Sequence, residues 1–178
     1  MDIYILIGIS ILVISVIFFI ILFSYRSKYL IYDIKIEEAM NELEVLYEIK
    51  KKTLSSICDK VSAIVDKELF PNIEEIGSEE IGNFELSKKL EEIETKLSEE
   101  MNLRRAFVPD EELTILFTSL EDISTDCNSV EQYYNDNAIC FNSLLKKFPS
   151  NIVGKVKDYN FRSTYAYEKE EMFEILKD

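Results

Sequence analysis

Residues 110–149 read DEELTILFTSLEDISTDCNSVEQYYNDNAICFNSLLKKFP. Within them Leu113, Leu116, Leu120, Ile123, Cys127, Val130, Tyr134, Ala138, Phe141, Leu145 and Phe148 follow one another in steps of three or four. That spacing lays one continuous apolar stripe along a single helix face, and no alternating strand pattern competes with it. Asp110 is a good N-cap, Glu111 and Glu112 stand in the first turn where the helix dipole favours acids, and Pro149 stops the run. The stretch is therefore one long amphipathic helix, and it sets the class of the whole chain.

Upstream, the same period recurs twice. Phe84 to Arg105 places Leu86, Leu90, Ile93, Leu97 and Met101 on one face, with Ser87, Lys88, Glu91, Glu92 and Glu99 turned mostly outward. Lys28 to Leu69 carries Ile36, Met40, Leu43, Tyr47, Leu54, Ile57, Val61 and Ile64, a seam of period near 3.5 interrupted only by Lys50. The stem of Lys50 is expected to pack while its ammonium reaches water. Phe70-Pro71-Asn72 and Val108-Pro109 break the chain between these pieces, and the acidic stretch Ile73–Asn83, with Gly77 and Gly82, reads as a loop or a short weak helix. Three amphipathic helices bury their stripes on one another. The fold class expected is all-α, an antiparallel bundle of three long helices plus a short fourth, the last drawn from Glu168–Leu176 or from the residues after Pro71.

Ahead of this domain, residues 3–24, IYILIGISILVISVIFFIILFS, contain no charge. At about 1.5 Å per residue the run spans roughly 33 Å, the thickness of a bilayer core. Asp2 in place of a basic leader, and Tyr25-Arg26-Ser27-Lys28 in place of a small-residue cleavage site, read as a retained transmembrane anchor rather than a signal peptide. No Lys or Arg precedes the run, whereas Arg26, Lys28 and Lys35 follow it, which orients the N-terminus outside and the C-terminal domain in the cytoplasm. The organisation expected is an anchor over residues 1–27 and one helical domain over 28–178, held at a bacterial-type cell membrane through residues 3–24.

Composition narrows the function classes. The chain has 34 acidic residues against 20 basic ones and a formal charge of −14. A surface so acidic repels phosphate backbones and anionic lipid headgroups, which disfavours nucleic-acid binding. There is no histidine, so the commonest general base and transition-metal ligand are missing. Cys58, Cys127 and Cys140 form no C-x-x-C and read as reduced thiols, mostly in the core. No glycine-rich phosphate loop and no nucleophile elbow occurs. The pairs Glu74-Glu75, Glu79-Glu80, Glu91-Glu92 and Glu99-Glu100 lack the alternating oxygen ligands of a calcium loop and read as a solvated face. No catalytic, metal or cofactor-binding residues are expected, and the chain is not read as an enzyme.

One local feature stands out. Asn128, Asn135 and Asn142 recur every seven residues on one face of the long helix, the last two each directly after a seam aromatic, Tyr134 and Phe141. Such amides either fix packing register at the edge of a core or receive the backbone of a partner. Downstream, Phe148-Pro149-Ser150-Asn151 leads into a tail with Tyr159, Phe161, Tyr165 and Tyr167. These aromatics either cap a core or fold over the helices to form a pocket.

The order Tyr134-Asn135, Phe141-Asn142, Phe148-Pro149-Ser150-Asn151 and then a short aromatic tail resembles the C-terminal signature of the LemA family. Glu37-Glu38-Ala39 through Val45 is similar to that family's opening helix, and Phe107-Val108-Pro109 sits at its aromatic-x-Pro break. The chain departs from it at Lys52-Thr53-Leu54-Ser55-Ser56-Ile57-Cys58 and at Glu131, where an arginine usually precedes Tyr-Asn, as a divergent member would. The resemblance implies a single-pass membrane protein with a long-helix bundle. Because some relatives are encoded near membrane metallopeptidases, it also implies an accessory role in envelope protein handling, with a membrane protease among the partner classes. The function expected is a non-enzymatic scaffold or adaptor for another envelope protein. A peptide- or small-molecule-binding accessory protein and a homo-oligomeric structural protein are the alternatives. Asn128, Tyr134, Asn135, Phe141, Asn142, Phe148, Pro149 and Asn151 are the candidate interaction or register residues.

Overall fold

The computed structural model describes residues 3–65, 73, 82–103 and 110–165. Among them there are four helices and no strand: α1 (Ile3–Val65), α2 (Asn83–Leu103), α3 (Glu111–Lys146) and α4 (Ser150–Val156). The alternative sites named for a fourth helix, Glu168–Leu176 and the residues after Pro71, lie outside the described residues except for Ile73, which is buried. The Pro71 and Pro109 breaks and Tyr167 lie outside them too.

The apolar run and the first amphipathic piece are one helix. The sequence reading separates them, but Ser24-Tyr25-Arg26-Ser27 contains neither glycine nor proline, so nothing ends the hydrogen-bond ladder there. The first part of α1 is long and apolar enough to cross a membrane: its best window has a mean hydropathy of 3.3 and none of that window is buried. Ser10 donates to the Leu6 carbonyl at 2.9 Å, which satisfies its hydroxyl within the helix.

The chain divides into two compact units, one of Met1–Glu38 with Tyr134–Asp178 and the other of Ala39–Tyr133. In the second unit the seams are the core: Leu43, Tyr47, Leu54, Ile57, Val61, Leu90, Ile93, Leu97, Leu113, Leu120 and Cys127 are buried. Asp110 caps α3 as its sequence position suggests, its carboxylate accepting from the Leu113 N–H at 2.7 Å. Asn83 donates to the Met40 carbonyl, and Lys50 pairs with Glu94, so numbering rises together along α1 and α2 and these segments run in the same sense. Tyr47 meets Glu131 and Lys60 meets Glu112, so α3 runs against α1. An antiparallel description therefore does not cover the α1–α2 pair.

Lys50 corrects a second expectation. It is 8 % exposed, and its ammonium sits 2.7 Å from a Glu94 oxygen rather than in water. The other Glu94 carboxylate oxygen accepts from Ser124 at 3.1 Å. Glu131 accepts from Tyr47 at 2.6 Å and from Ser87 at 2.9 Å. Two carboxylates in this unit are thus held by donors from neighbouring helices, which pins the register of the seams.

Candidate functional site: two asparagines that hold an extended segment

The first unit is built on α1 residues just past the apolar run, the C-terminal part of α3, α4, and the segment 159–165. Tyr29 is its centre. It is fully buried, its ring lies 5.3 Å from Phe141 and 5.1 Å from Tyr159, and its hydroxyl donates to the Ser150 carbonyl at 3.2 Å. Phe141 and Tyr159 close the triangle at 5.5 Å. The two edge-to-face pairs, Tyr29–Phe141 and Phe141–Tyr159, add roughly 0.5–1.5 kcal/mol each beyond the area they bury.

The turn after α3 is held by Ser150, whose hydroxyl contacts the carbonyls of Leu144 at 2.6 Å and Lys147 at 2.7 Å, the latter also accepting from the Asn151 N–H at 2.8 Å. α4 follows with Pro149 at its N-cap, and Gly154 packs where a Cβ would lie 2.6 Å from Leu145 Cδ2 and 3.0 Å from the Tyr29 hydroxyl. Asp158, at φ 54°, turns the chain out of α4; aspartate is among the side chains that tolerate this left-handed conformation.

Beyond that turn the two asparagines act alike. Asn142 accepts from the Arg162 N–H and donates to the Arg162 carbonyl, both at 2.8 Å. Asn135 accepts from the Tyr165 N–H at 2.7 Å and donates to the Tyr165 carbonyl at 3.2 Å. Each amide thereby pairs with both backbone groups of one residue. Seven residues of helix advance about 10.5 Å. An extended chain with three residues per turn brings residues i and i+3 to one face about every 9.3 Å. The match of these two repeats lets asparagines seven apart grip residues three apart.

Neighbouring groups complete the arrangement. Tyr134 donates to the Ser163 carbonyl at 2.9 Å and meets the Tyr165 ring edge-on at 5.2 Å. Arg162 reaches Asp33 at 2.5 Å and lies over the Phe141 ring at 5.6 Å. Burial raises the hydroxyl pKa of Tyr134 above the ordinary tyrosine value, with Arg162 pulling part of the way back, and burial followed by Tyr159 raises that of Tyr29. The Cys140 thiol is exposed and lies against the Tyr32 hydroxyl, whereas Cys58 and Cys127 are buried and free.

The eight sequence candidates therefore separate. Tyr134, Asn135, Phe141 and Asn142 share one site. Pro149 and Asn151 belong to the α3–α4 corner, where the Asn151 side-chain oxygen is buried without a donor among the described residues. Asn128 lies in the other unit, on an open groove of about 460 Å³ with Glu94, Leu97, Ser124 and Phe117. Phe148, placed by periodicity in the α3 seam, is 75 % exposed, because α3 ends at Lys146 and the following turn swings its ring out. Tyr159 and Tyr165 stack into the core of their unit, while Phe161 stays exposed beneath the Lys146 ammonium. Sequence reading missed Tyr29, Asp33 and Ser150. Tyr29 had one legible signal, an aromatic in the first turns after an apolar run. No protein-family model, curated protein or solved structure matches the chain.

Proposed function

We propose that this chain is a non-enzymatic, membrane-tethered helical scaffold of the LemA type, anchored through residues 3–24, which presents a long-helix bundle to another envelope protein. The supporting observation is the continuity of α1. The apolar run leaves its side chains exposed, and five residues beyond Ser24 the same helix contributes the fully buried Tyr29. Large apolar surface left open in water is unfavourable by roughly 25 cal/mol per Å², and a bilayer removes that penalty. With no linker between, the folded unit stands directly on the membrane. The excess of Arg26, Lys28 and Lys35 after the run favours a cytoplasmic domain.

The test is crosslinking of the full-length protein in its own membrane, followed by mild-detergent purification and mass spectrometry. A reproducible membrane protein, such as a membrane protease, crosslinked through the helical faces supports the scaffold. Self-crosslinks alone would replace it with a homo-oligomeric structural role, and turnover of a peptide or nucleotide by the purified chain would overturn it. The groove beside Asn128 favours one second reading, an accessory protein that binds a peptide or small molecule. A defined ligand that raises the melting temperature, and fails to do so when Leu97 is replaced by a bulkier residue, supports that reading.

A further inference from the structure

We propose that the α3–α4 corner is a second membrane contact, a basic and apolar surface that rests on the anionic headgroups of the leaflet from which α1 emerges. This inference rests on the anchored reading above.

Register places the corner at the membrane. Tyr29 packs on Phe141, and Tyr32 lies against Cys140, so α1 and α3 run in opposite directions in this unit. Five residues back along α1 from Tyr29 is Ser24, and five residues on along α3 from Phe141 is Lys146. Equal rises bring Lys146 level with Ser24–Arg26, the end of the apolar run. Tyr29 donates to the Ser150 carbonyl, which ties the turn after Lys146 to the same level. Leu22 and Tyr25 are already partly covered, so the folded unit reaches back to the last turn of the run.

The chemistry of the corner suits a headgroup layer. Phe148 is 75 % and Val156 is 77 % exposed, and they are flanked by the exposed Lys146, Lys147, Lys155 and Lys157. Between Asn137 and Phe161 the only acid is Asp158, in a chain whose formal charge is −14. Arg26 and Lys28 of α1 are exposed at the same level. The mean charge of the chain, which disfavours anionic lipid, thus conceals a local surface of the opposite sign. Lysines within a Debye length of an anionic leaflet are attracted to it, and an aromatic ring among them inserts at the acyl boundary.

The chain contains no tryptophan, so one introduced at the corner is the sole indole, excited at wavelengths its ten tyrosines do not absorb. Full-length Phe148→Trp is reconstituted in vesicles of phosphatidylcholine, with or without phosphatidylglycerol, carrying bromine at shallow acyl positions. Ile14→Trp, at the middle of the span, serves as its marker in parallel vesicles that carry bromine near the acyl-chain ends. The expected result is a blue-shifted Phe148→Trp emission that bromine quenches by most of its intensity, more strongly with phosphatidylglycerol. Lys146→Gln, Lys147→Gln, Lys155→Gln and Lys157→Gln together abolish the phosphatidylglycerol difference. Ile14→Trp quenched with Phe148→Trp unquenched overturns the second contact and leaves the anchor standing. Ile14→Trp unquenched removes the anchored reading, and the contact with it. Blue-shifted but unquenched Phe148→Trp emission overturns the lipid assignment in favour of a protein surface. Quenching indifferent to phosphatidylglycerol and to the four lysines overturns the headgroup recognition.

Discussion

Replacing Asn135 by alanine removes both halves of one clasp. The Tyr165 N–H loses an acceptor at 2.7 Å and its carbonyl loses a donor at 3.2 Å. Asn135 is 2 % and Tyr165 6 % exposed, so water does not reach the groups left behind. An orphaned buried polar group costs about 1–3 kcal/mol, which sets the loss for the pair at about 2–6 kcal/mol while the segment stays in place. If the segment lets go instead, the loss is limited to what held it down, and the edge-to-face contact of Tyr134 with Tyr165 goes too. Asn142 makes two bonds of similar length, but in an exposed setting. Water replaces them, and Asn142→Ala costs about 1 kcal/mol. The assay is urea unfolding of the full-length protein in mild detergent, with hydrogen exchange followed at the Arg162 and Tyr165 amides. Asn135→Ala should lower the midpoint and speed exchange at Tyr165. A loss from Asn142→Ala equal to or larger than that from Asn135→Ala, or an unchanged Tyr165 exchange rate in Asn135→Ala, would refute the reasoning.

Asn135→Asp keeps the acceptor for the Tyr165 N–H but turns a carboxylate on its carbonyl; a neutral-pH midpoint below wild type that recovers as the pH falls is expected in urea titrations. Burial lifts the thiols of Cys58 to about 12 and Cys127 to about 11 from the ordinary 9, so alkylation at pH 8 followed by mass spectrometry should find Cys140 modified first. The raised hydroxyls of Tyr29 and Tyr134 are neutral in the fold. Their stabilising contribution is complete below the unfolded tyrosine pKa of about 10 and is lost as the pH rises through the higher folded values, a decline to be seen in alkaline unfolding curves. Lys50→Met strands part of the Glu94 charge, and a loss of about 1–3 kcal/mol is expected in thermal unfolding, reduced when Glu94→Leu is added. Gly154→Ala forces Leu145 and the Tyr29 hydroxyl to shift, which should cost about 1–2 kcal/mol by the same measure.

The helices of this protein were legible because their signal is local. A stripe of period 3.5 and an aspartate before a glutamate pair suffice to find α3 and its cap, and the buried seam of α2 runs through Leu86, Leu90, Ile93 and Leu97 as the spacing indicates. Continuity was less legible, since α1 passes through Ser24–Ser27 by the absence of a breaker rather than by any positive mark. Phe148 misled because periodicity does not know where the ladder stops: Ser150 captures the carbonyls of Leu144 and Lys147 and ends the stripe one turn early. The asparagine spacing was visible, but what it grips was not. Arg162 and Tyr165 lie 20 and 30 residues from their amides, and Asp33 lies 129 residues from Arg162, separations over which no local pattern carries information. Lys50 and Glu94 likewise found each other only in three dimensions.

The two amides read only main chain, and they do so at a fixed pitch. A segment held this way is indifferent to many side-chain changes at Ser163 and Thr164 but not to its own length. Insert one residue between Arg162 and Tyr165, and the second amide still finds main chain three residues on, but Thr164 takes the place of Tyr165 and the ring leaves its seat against Tyr134. The helix acts as a ruler for the extended chain, and a changed count alters which side chain arrives at the mark. Substitutions at Ser163 and Thr164 should therefore be tolerated, while insertions and deletions between Arg162 and Tyr165 cost the contact of Tyr165 with Tyr134.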